Sequence, residues 1–351
     1  MLLIFCAAVF AAEEYNFIVL GDIHFDGEAY HSSAAKKSGK KKEFNRNVSM
    51  WTSGKSEQVL AAAGKAVDGK NIFTVQVGDF TQGDCKTEEL QEKMFKDGFA
   101  AVKKHFPNSK LIAVKGNHDV RVAGKKGNSN EPAAKAFLPL IAKELGRESI
   151  GGNYTVRQGK DLFIFFDGFV GAKAAAEFVK KALAENKDAR YVFFITHLPV
   201  LPCTSRNPGW LIPGRNKILP MLAARNAIIF TAHTHRKSYM SVTTPQGTLS
   251  QMVVCSMGAQ WNPDKAPGVA NDKFEVMAKK ALAEKKISKS SVAVLKQMES
   301  FTVNEFKMFS GHSGFAVVKV DDKAVVADIH TNNSGKPWTT ITLRTNAKME
   351  K

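Results

Sequence analysis

The sequence predicts an α/β fold, and three observations predict it. Five short apolar runs, at residues 17–20, 72–77, 111–114, 191–195 and 227–230, have the length and turn-bounded character of strands covered on both faces. Helical stretches alternate with further apolar segments, at residues 56–67, 88–105, 132–145, 172–184 and 217–224. Each of the five runs leads into a cluster of polar residues, and in sheets of this kind ligand sites gather at the carboxyl ends of strands. The five clusters are therefore expected to converge in space.

In chain order the clusters are Gly21-Asp22-Ile23-His24, Gly78-Asp79, Gly116-Asn117-His118-Asp119, Thr196-His197 and Ala232-His233-Thr234-His235. Any one of them could be an ordinary turn, because Gly and Asn tolerate positive φ after a strand. Their joint occurrence, each after an apolar run, makes an active-site reading stronger. Residues 154–157 and 162–166 read as two further strands, joined by a tight turn through Gln158-Gly159-Lys160. Residues 237–243 and 248–255 read as a hairpin around Pro245-Gln246-Gly247. A polar, lysine-rich segment at 260–305 looks like a surface insertion, helical over 272–298. Two β-rich runs close the chain, 314–320 and 324–329, and imply a second sheet. There is no internal repeat of the solenoid kind.

With 351 residues, 44% of them hydrophobic, the chain can bury a large core. Because the clusters span Asp22 to His235, a single domain over residues 13–345 is expected. Residues 1–12 form an apolar stretch with Val9-Phe10-Ala11 as a small-residue cleavage site, which resembles a secretory signal peptide and predicts export. Its start lacks Lys or Arg. No other stretch approaches the roughly 20 apolar residues of a membrane span. Removal of Cys6 with such a leader would leave Cys85, Cys203 and Cys255, more in keeping with buried thiols than with a disulfide framework.

The net charge is +17, and residues 32–55 carry +6 of it, from Lys36, Lys37, Lys40, Lys41, Lys42, Arg46 and Lys55 against Glu43. Such a stretch reads either as an electrostatic funnel for an anionic substrate or as a solvated loop. It has none of the aromatic interleaving of single-strand nucleic-acid grooves.

Side chains at the strand ends are Asp22, His24, Asp79, Asn117, His118, His197, His233 and His235, a set that reads as ligands for two metal ions. Carboxylate oxygen together with imidazole nitrogen suits Mn, Zn or Fe, and the lack of cysteine argues against a closed structural zinc site. Five of the nine histidines fall in these clusters.

The order Asp-x-His, Gly-Asp, Gly-Asn-His-Asp, His, His-x-His resembles the calcineurin-like metallophosphoesterase superfamily, over residues 17–236. That resemblance implies a four-layer α/β/β/α sandwich of two mixed sheets. It also implies one metal held by Asp22, His24 and His235, a second by Asn117, His197 and His233, and Asp79 bridging both. His118 would be the catalytic histidine, oriented by Asp119, with Asn117 helping to stabilise charge on phosphoryl oxygens. The implied reaction is hydrolysis of a phosphoester by in-line attack of a metal-bridging hydroxide, on phosphate monoesters or small nucleotide-type esters. Ala232 stands where the last motif usually has glycine. Gln82 stands where purple acid phosphatases place an iron-binding tyrosine, which speaks against a purple iron centre.

The expected partner is a small anionic phosphoester. An exported nuclease or polyanion diesterase is the first alternative, with the +6 stretch in its favour, and a non-catalytic binding module is the second. Gly54-Lys55-Ser56 ends like a phosphate-binding loop, but Ser49 occupies the position of the required first glycine, and neither Gly-x-Ser-x-Gly nor His-Glu-x-x-His occurs, so serine-hydrolase and zinc-peptidase readings lack support.

Overall fold

A computed structural model of the chain describes residues 14–32, 41–67, 71–122, 129–205, 208–254, 256–257, 261, 264–283 and 287–346. The expected leader, Lys36, Lys37, Lys40 and Cys255 lie outside the described residues. The strands in chain order are β1 (Tyr15–Leu20), β2 (Asn71–Val77), β3 (Lys110–Val114), β4 (Tyr154–Gln158), β5 (Asp161–Phe166), β6 (Val192–Thr196), β7 (Ile228–Thr231), β8 (Ser238–Thr244), β9 (Gly247–Val253), β10 (Val269–Asn271), β11 (Thr302–Phe309), β12 (Gly314–Val320), β13 (Ala324–Thr331) and β14 (Thr339–Thr345). The helices are α1 (Lys41–Thr52), α2 (Lys55–Ala66), α3 (Glu88–Lys103), α4 (Leu138–Glu144), α5 (Ala172–Glu185), α6 (Arg215–Ala223), α7 (Phe274–Leu282) and α8 (Lys289–Met298). A π-helical turn, Ala133–Phe137, runs directly into α4.

Two mixed sheets form the centre. The first has the order β14-β13-β12-β1-β2-β3, the second β10-β11-β8-β9-β7-β6-β5-β4. In the first sheet β1, β2 and β3 are parallel, and β12 runs antiparallel to β1. In the second, β5, β6 and β7 are parallel. All six residues of β1 are buried, as a strand covered on both faces must be. Phe17 meets Phe163, Phe193 and Phe230 of the other sheet edge-on, at 5.3, 5.3 and 5.7 Å between ring centres. Such pairs add to the roughly 1.5–3 kcal/mol gained by burying each ring.

The π-helical turn, α2, α3 and α4 pack on the outside of the first sheet, and α5 to α8 share an outer apolar cluster with the second. The result is the four-layer α/β/β/α sandwich. At the edge away from the strand carboxyl ends, Arg190 pairs with buried Asp161 at 2.5 Å and with Asp322, while Tyr15 donates to Asp161 at 2.8 Å. This clamp ties both sheets together and holds their opposite ends in register.

Several expectations change. Residues 41–52, read as part of a basic loop, form α1, with Phe44, Val48 and Met50 buried. The closing runs do not make a second sheet of their own; as β12 and β13 they extend the first, and β14 completes it. Strands β10 and β11 were not anticipated. The helical stretch 272–298 divides into α7 and α8, the latter begun by Ser288, whose hydroxyl accepts from the Ser291 amide. Cys85 and Cys203 are buried free thiols, their pKa values pushed up by burial. Among the described residues no helix is long and apolar enough to cross a membrane.

Candidate metal centre

The first turns after β1 and β2 are sewn together by their backbones. His24 and Phe25 donate to the Asp79 and Phe80 carbonyls, each at 2.9 Å, and Gln82 donates back to Phe25 at 3.0 Å. The third strand end closes on the second through Gly116, where a Cβ would stand 2.1 Å from both the Asp79 amide nitrogen and its Oδ1. Gly78, at φ +91°, makes room for the His197 ring from the other sheet; a Cβ there would lie 2.5 Å from its Nδ1. Asp22 Oδ1 accepts the His233 amide at 3.0 Å, which fixes the turn after β7 against the end of β1. Both sheets thus deliver their strand ends to one place.

The structure brings the predicted ligand residues together in two groups that share Asp79. Asp22, His24, Asp79 and His235 each offer a ligand atom within 4.8 Å of the others, and so do Asp79, His197 and His233. The His24 and His235 Nε2 atoms are 3.2 Å apart. Asn117 Oδ1 lies 3.1 Å from His197 Nε2 and 2.8 Å from His233 Nδ1, so the amide oxygen faces the second group. His197 donates its Nδ1 proton to the Val77 carbonyl at 3.0 Å, which leaves Nε2 for a ligand.

Two observations favour a cation here. Asp22 Oδ2 is buried beside the cluster and has no hydrogen-bond partner, a cost of roughly 1–3 kcal/mol for such a group. Four of these residues also have left-handed backbones: His24 at φ 46°, Asp79 at 51°, His233 at 68° and His235 at 51°. Among the described residues the other non-glycine positions with positive φ are Asp84, Asn226 and Asn332, side-chain types that tolerate it. A non-glycine residue held there costs about 1–3 kcal/mol, and the gathering of four such residues at one place is the usual mark of a binding site.

The electrostatics are correspondingly uneven. Burial lowers the His24 pKa well below its ordinary value, aided by the nearby His118 ring. Burial would lower His197 too, but the Asp79 and Asp22 carboxylates outweigh it and hold the ring up at about 9. His233 falls to about 3, through burial and then the charge on His197. Burial works to raise Asp79, yet the surrounding rings keep it well below the usual carboxylate range. A metal ion would take the place of the proton on His197.

His118 and Asp119 come out differently from each other. The His118 ring lies at the site, its Nε2 4.0 Å from Asp79 Oδ2 and 3.5 Å from Glu43 Oε1. Its Nδ1 is 2.8 Å from the Gln82 carbonyl oxygen and 2.6 Å from Arg121 Nη2. Asp119 was expected to orient it and does not. That carboxylate accepts from the amides of Gly116, Thr81 and Phe80 at 2.8, 2.8 and 3.1 Å and from the Thr81 hydroxyl at 3.0 Å, binding the second and third strand ends together. The Gln82 carbonyl holds the ring instead, and the Gln82 side chain turns to Asn47 of α1. Asp84 pairs with Arg121 at 2.8 Å, and Asp167 with buried Lys115 at 2.9 Å.

Above the centre opens a cleft of about 800 Å³. Its walls supply residues that the strand-end motifs did not reveal: Glu43, Arg121, Trp210, Arg236, Lys265 and Lys280. They come from six separate segments and no local motif joins them. The apolar spacing Phe44, Val48, Trp51 was the one available sign that Glu43 rides on a helix.

A family model for calcineurin-like phosphoesterase matches residues 15–237. No curated protein matches the chain in sequence. Solved structures similar to it include GAP50, described as the anchor in the inner membrane complex of Plasmodium, at 12% identity and a TM-score of 0.52, covering 95% of this chain and 89% of that one. PhoD is similar at 9% identity and a TM-score of 0.51, covering 94% and 68%. A dimetal phosphatase from Danio rerio is similar at 11% identity and a TM-score of 0.48, covering 95% and 99%. At these identities the first two likenesses show the shared fold.

Proposed function

Because the chain belongs to the calcineurin-like phosphoesterases, the match covering residues 15–237, we propose that it is a dinuclear metal-dependent hydrolase of small phosphoesters. The observation that carries this reading is the sharing of Asp79 by two groups of potential ligands at the floor of one cleft. Asp22, His24 and His235 would hold one ion, Asn117, His197 and His233 the other, with Asp79 between them. Two divalent ions held there would supply positive charge to phosphoryl oxygens and an acidified water as nucleophile.

The chain's own residues do the rest. Asp79 and Asp22 set the charge of the floor, and Val77, through His197 Nδ1, fixes which nitrogen of that ring faces inward. His118 is turned by the Gln82 carbonyl so that its Nε2 faces the cleft, where it can pass a proton to the leaving oxygen. General acid help of this kind is worth about 10²–10⁴ in rate. Asn117, whose Oδ1 faces the second group, would have its amide nitrogen to donate to a phosphoryl oxygen.

Metal analysis of the Mn- or Zn-supplied protein, with turnover of an aryl phosphate monoester and the matching diester, tests this. About two ions per chain are expected, and Asn117→Ala should lower kcat by about 10²–10³. Fewer than one ion per chain with no turnover of either ester would overturn the enzyme reading in favour of a binding module.

A further inference from the structure

The cleft is far larger than a phosphoryl group requires. At about 800 Å³ it lies in the range of sites that enclose a whole organic ligand, roughly 300–1,000 Å³. Its walls are unlike the rest of the surface in two ways. Trp210 is 56% exposed, the most exposed large hydrophobic side chain among the described residues. Its ring centre stands 5.3 Å from that of His233, tilted by 56°, at the brink of the second ligand group. A flat, exposed π-face beside a reaction centre suits a flat group.

The second feature is charge. Arg236 follows the last ligand, Lys265 lies in the segment before β10, and Lys280 sits on α7, yet all three line this one cleft. Among the described residues none of them has a carboxylate within ion-pair distance, whereas Arg121, the other cation of the wall, is paired with Asp84. Three unpaired cations from separate elements exceed what one phosphoryl group needs when metal ions already receive it.

Resting on the phosphoesterase reading, we propose that Trp210, Arg236, Lys265 and Lys280 form a leaving-group subsite for a group that is both planar and anionic, the chemistry of a nucleotide. Hydrolysis forms a bond from the water oxygen to phosphorus and breaks the bond to the leaving oxygen, which departs with a proton. The part that departs rests on Trp210, and its remaining negative charge lies among the three cations.

Four substrates separate the two features. Adenosine diphosphate loses a group that is planar and charged, adenosine monophosphate one that is planar and neutral, pyrophosphate one that is charged and not planar, and glycerol 3-phosphate neither. The diphosphate is expected to have the highest kcat/KM. In Trp210→Ala, kcat/KM for the two adenosine compounds should fall about 10- to 100-fold relative to the other two, with most of it regained in Trp210→Phe. In Lys265→Gln or Lys280→Gln the diphosphate and pyrophosphate should lose about fivefold relative to the monophosphate and glycerol 3-phosphate. Equal losses across all four in every variant, or no change in any, overturn the subsite. If the metal-loaded protein turns over none of the four, equilibrium binding of adenosine diphosphate decides: binding weakened by Trp210→Ala keeps the subsite and discards hydrolysis, and binding indifferent to Trp210 discards the subsite.

Discussion

The floor of the cleft is buried and strained, while its walls are exposed and relaxed. Asp22, His24 and His197 are fully buried, Asp79 is nearly so, and His24, Asp79, His233 and His235 hold left-handed backbones. By contrast Trp210, Arg236, Lys265 and Lys280 stand open to solvent on loops and a helix. The floor gives up folding energy to place ligand atoms, and the large core between the sheets offsets that loss. The walls give up almost nothing. They can be exchanged without disturbing the fold, so under the proposed function the kind of chemistry would belong to the floor and the choice of ester to the walls.

The sharpest way to break this contrast is to fill the one gap the floor cannot spare. Gly116→Ala would drive a methyl group to within 2.1 Å of the Asp79 amide and carboxylate. The expected result is a loss of about 3 kcal/mol in stability, together with depleted metal content, read by denaturant unfolding and metal analysis. An unchanged unfolding midpoint would mean that the floor has slack.

A wall substitution should act on binding and leave folding alone. Glu43 is the acidic side chain of the wall and stands 3.5 Å from His118 Nε2, where it repels an anionic ester. Glu43→Gln should lower KM for a phosphate monoester about two- to fivefold at low ionic strength, with the gain shrinking as salt is added. A rise in KM would show that Glu43 serves the floor.

A third substitution calibrates the other two from a strand far from both. Asp328 on β13 accepts from Thr340 and pairs with Lys319 at 2.7 Å. Burial works to raise its pKa, but those partners outweigh it and hold the carboxyl below its ordinary value. A carboxyl whose folded pKa is depressed stabilises above its unfolded pKa of about 4, and that stability is lost as pH falls through the folded value. Asp328→Asn should therefore cost about 1 kcal/mol near pH 7, with the difference from wild type shrinking as the pH is lowered through the acid range, measured by unfolding at each pH.

The same contrast governs what the sequence discloses. The candidate ligands of the floor follow directly on buried strands, so Asp22, His24, Asp79, Asn117, His197, His233 and His235 are readable as short motifs after apolar runs. Asp119 was readable as a residue and not as a role, since only the folded chain shows its oxygens turned to the Phe80 and Thr81 amides. The walls stay hidden because Arg121, Trp210 and Lys280 come from distant segments and meet only through tertiary packing. Helix α1 was masked by its own lysines, and β14 by having only two large apolar residues, although these, Ile341 and Leu343, alternate with polar neighbours as an edge strand should.

The pairing of β1 with β12 has a consequence for how the protein is made. Tyr15 at the start of β1 lies opposite Val320, and so the innermost strand of the first sheet waits for a partner some 300 residues later in the chain. At about 5–20 residues per second, a translating ribosome needs roughly 15–60 s to deliver it. Throughout that interval one edge of β1 is open, an apolar template for unwanted pairing. A nascent chain therefore carries Asp22 and His24 well before the sheet that contains β1 can close.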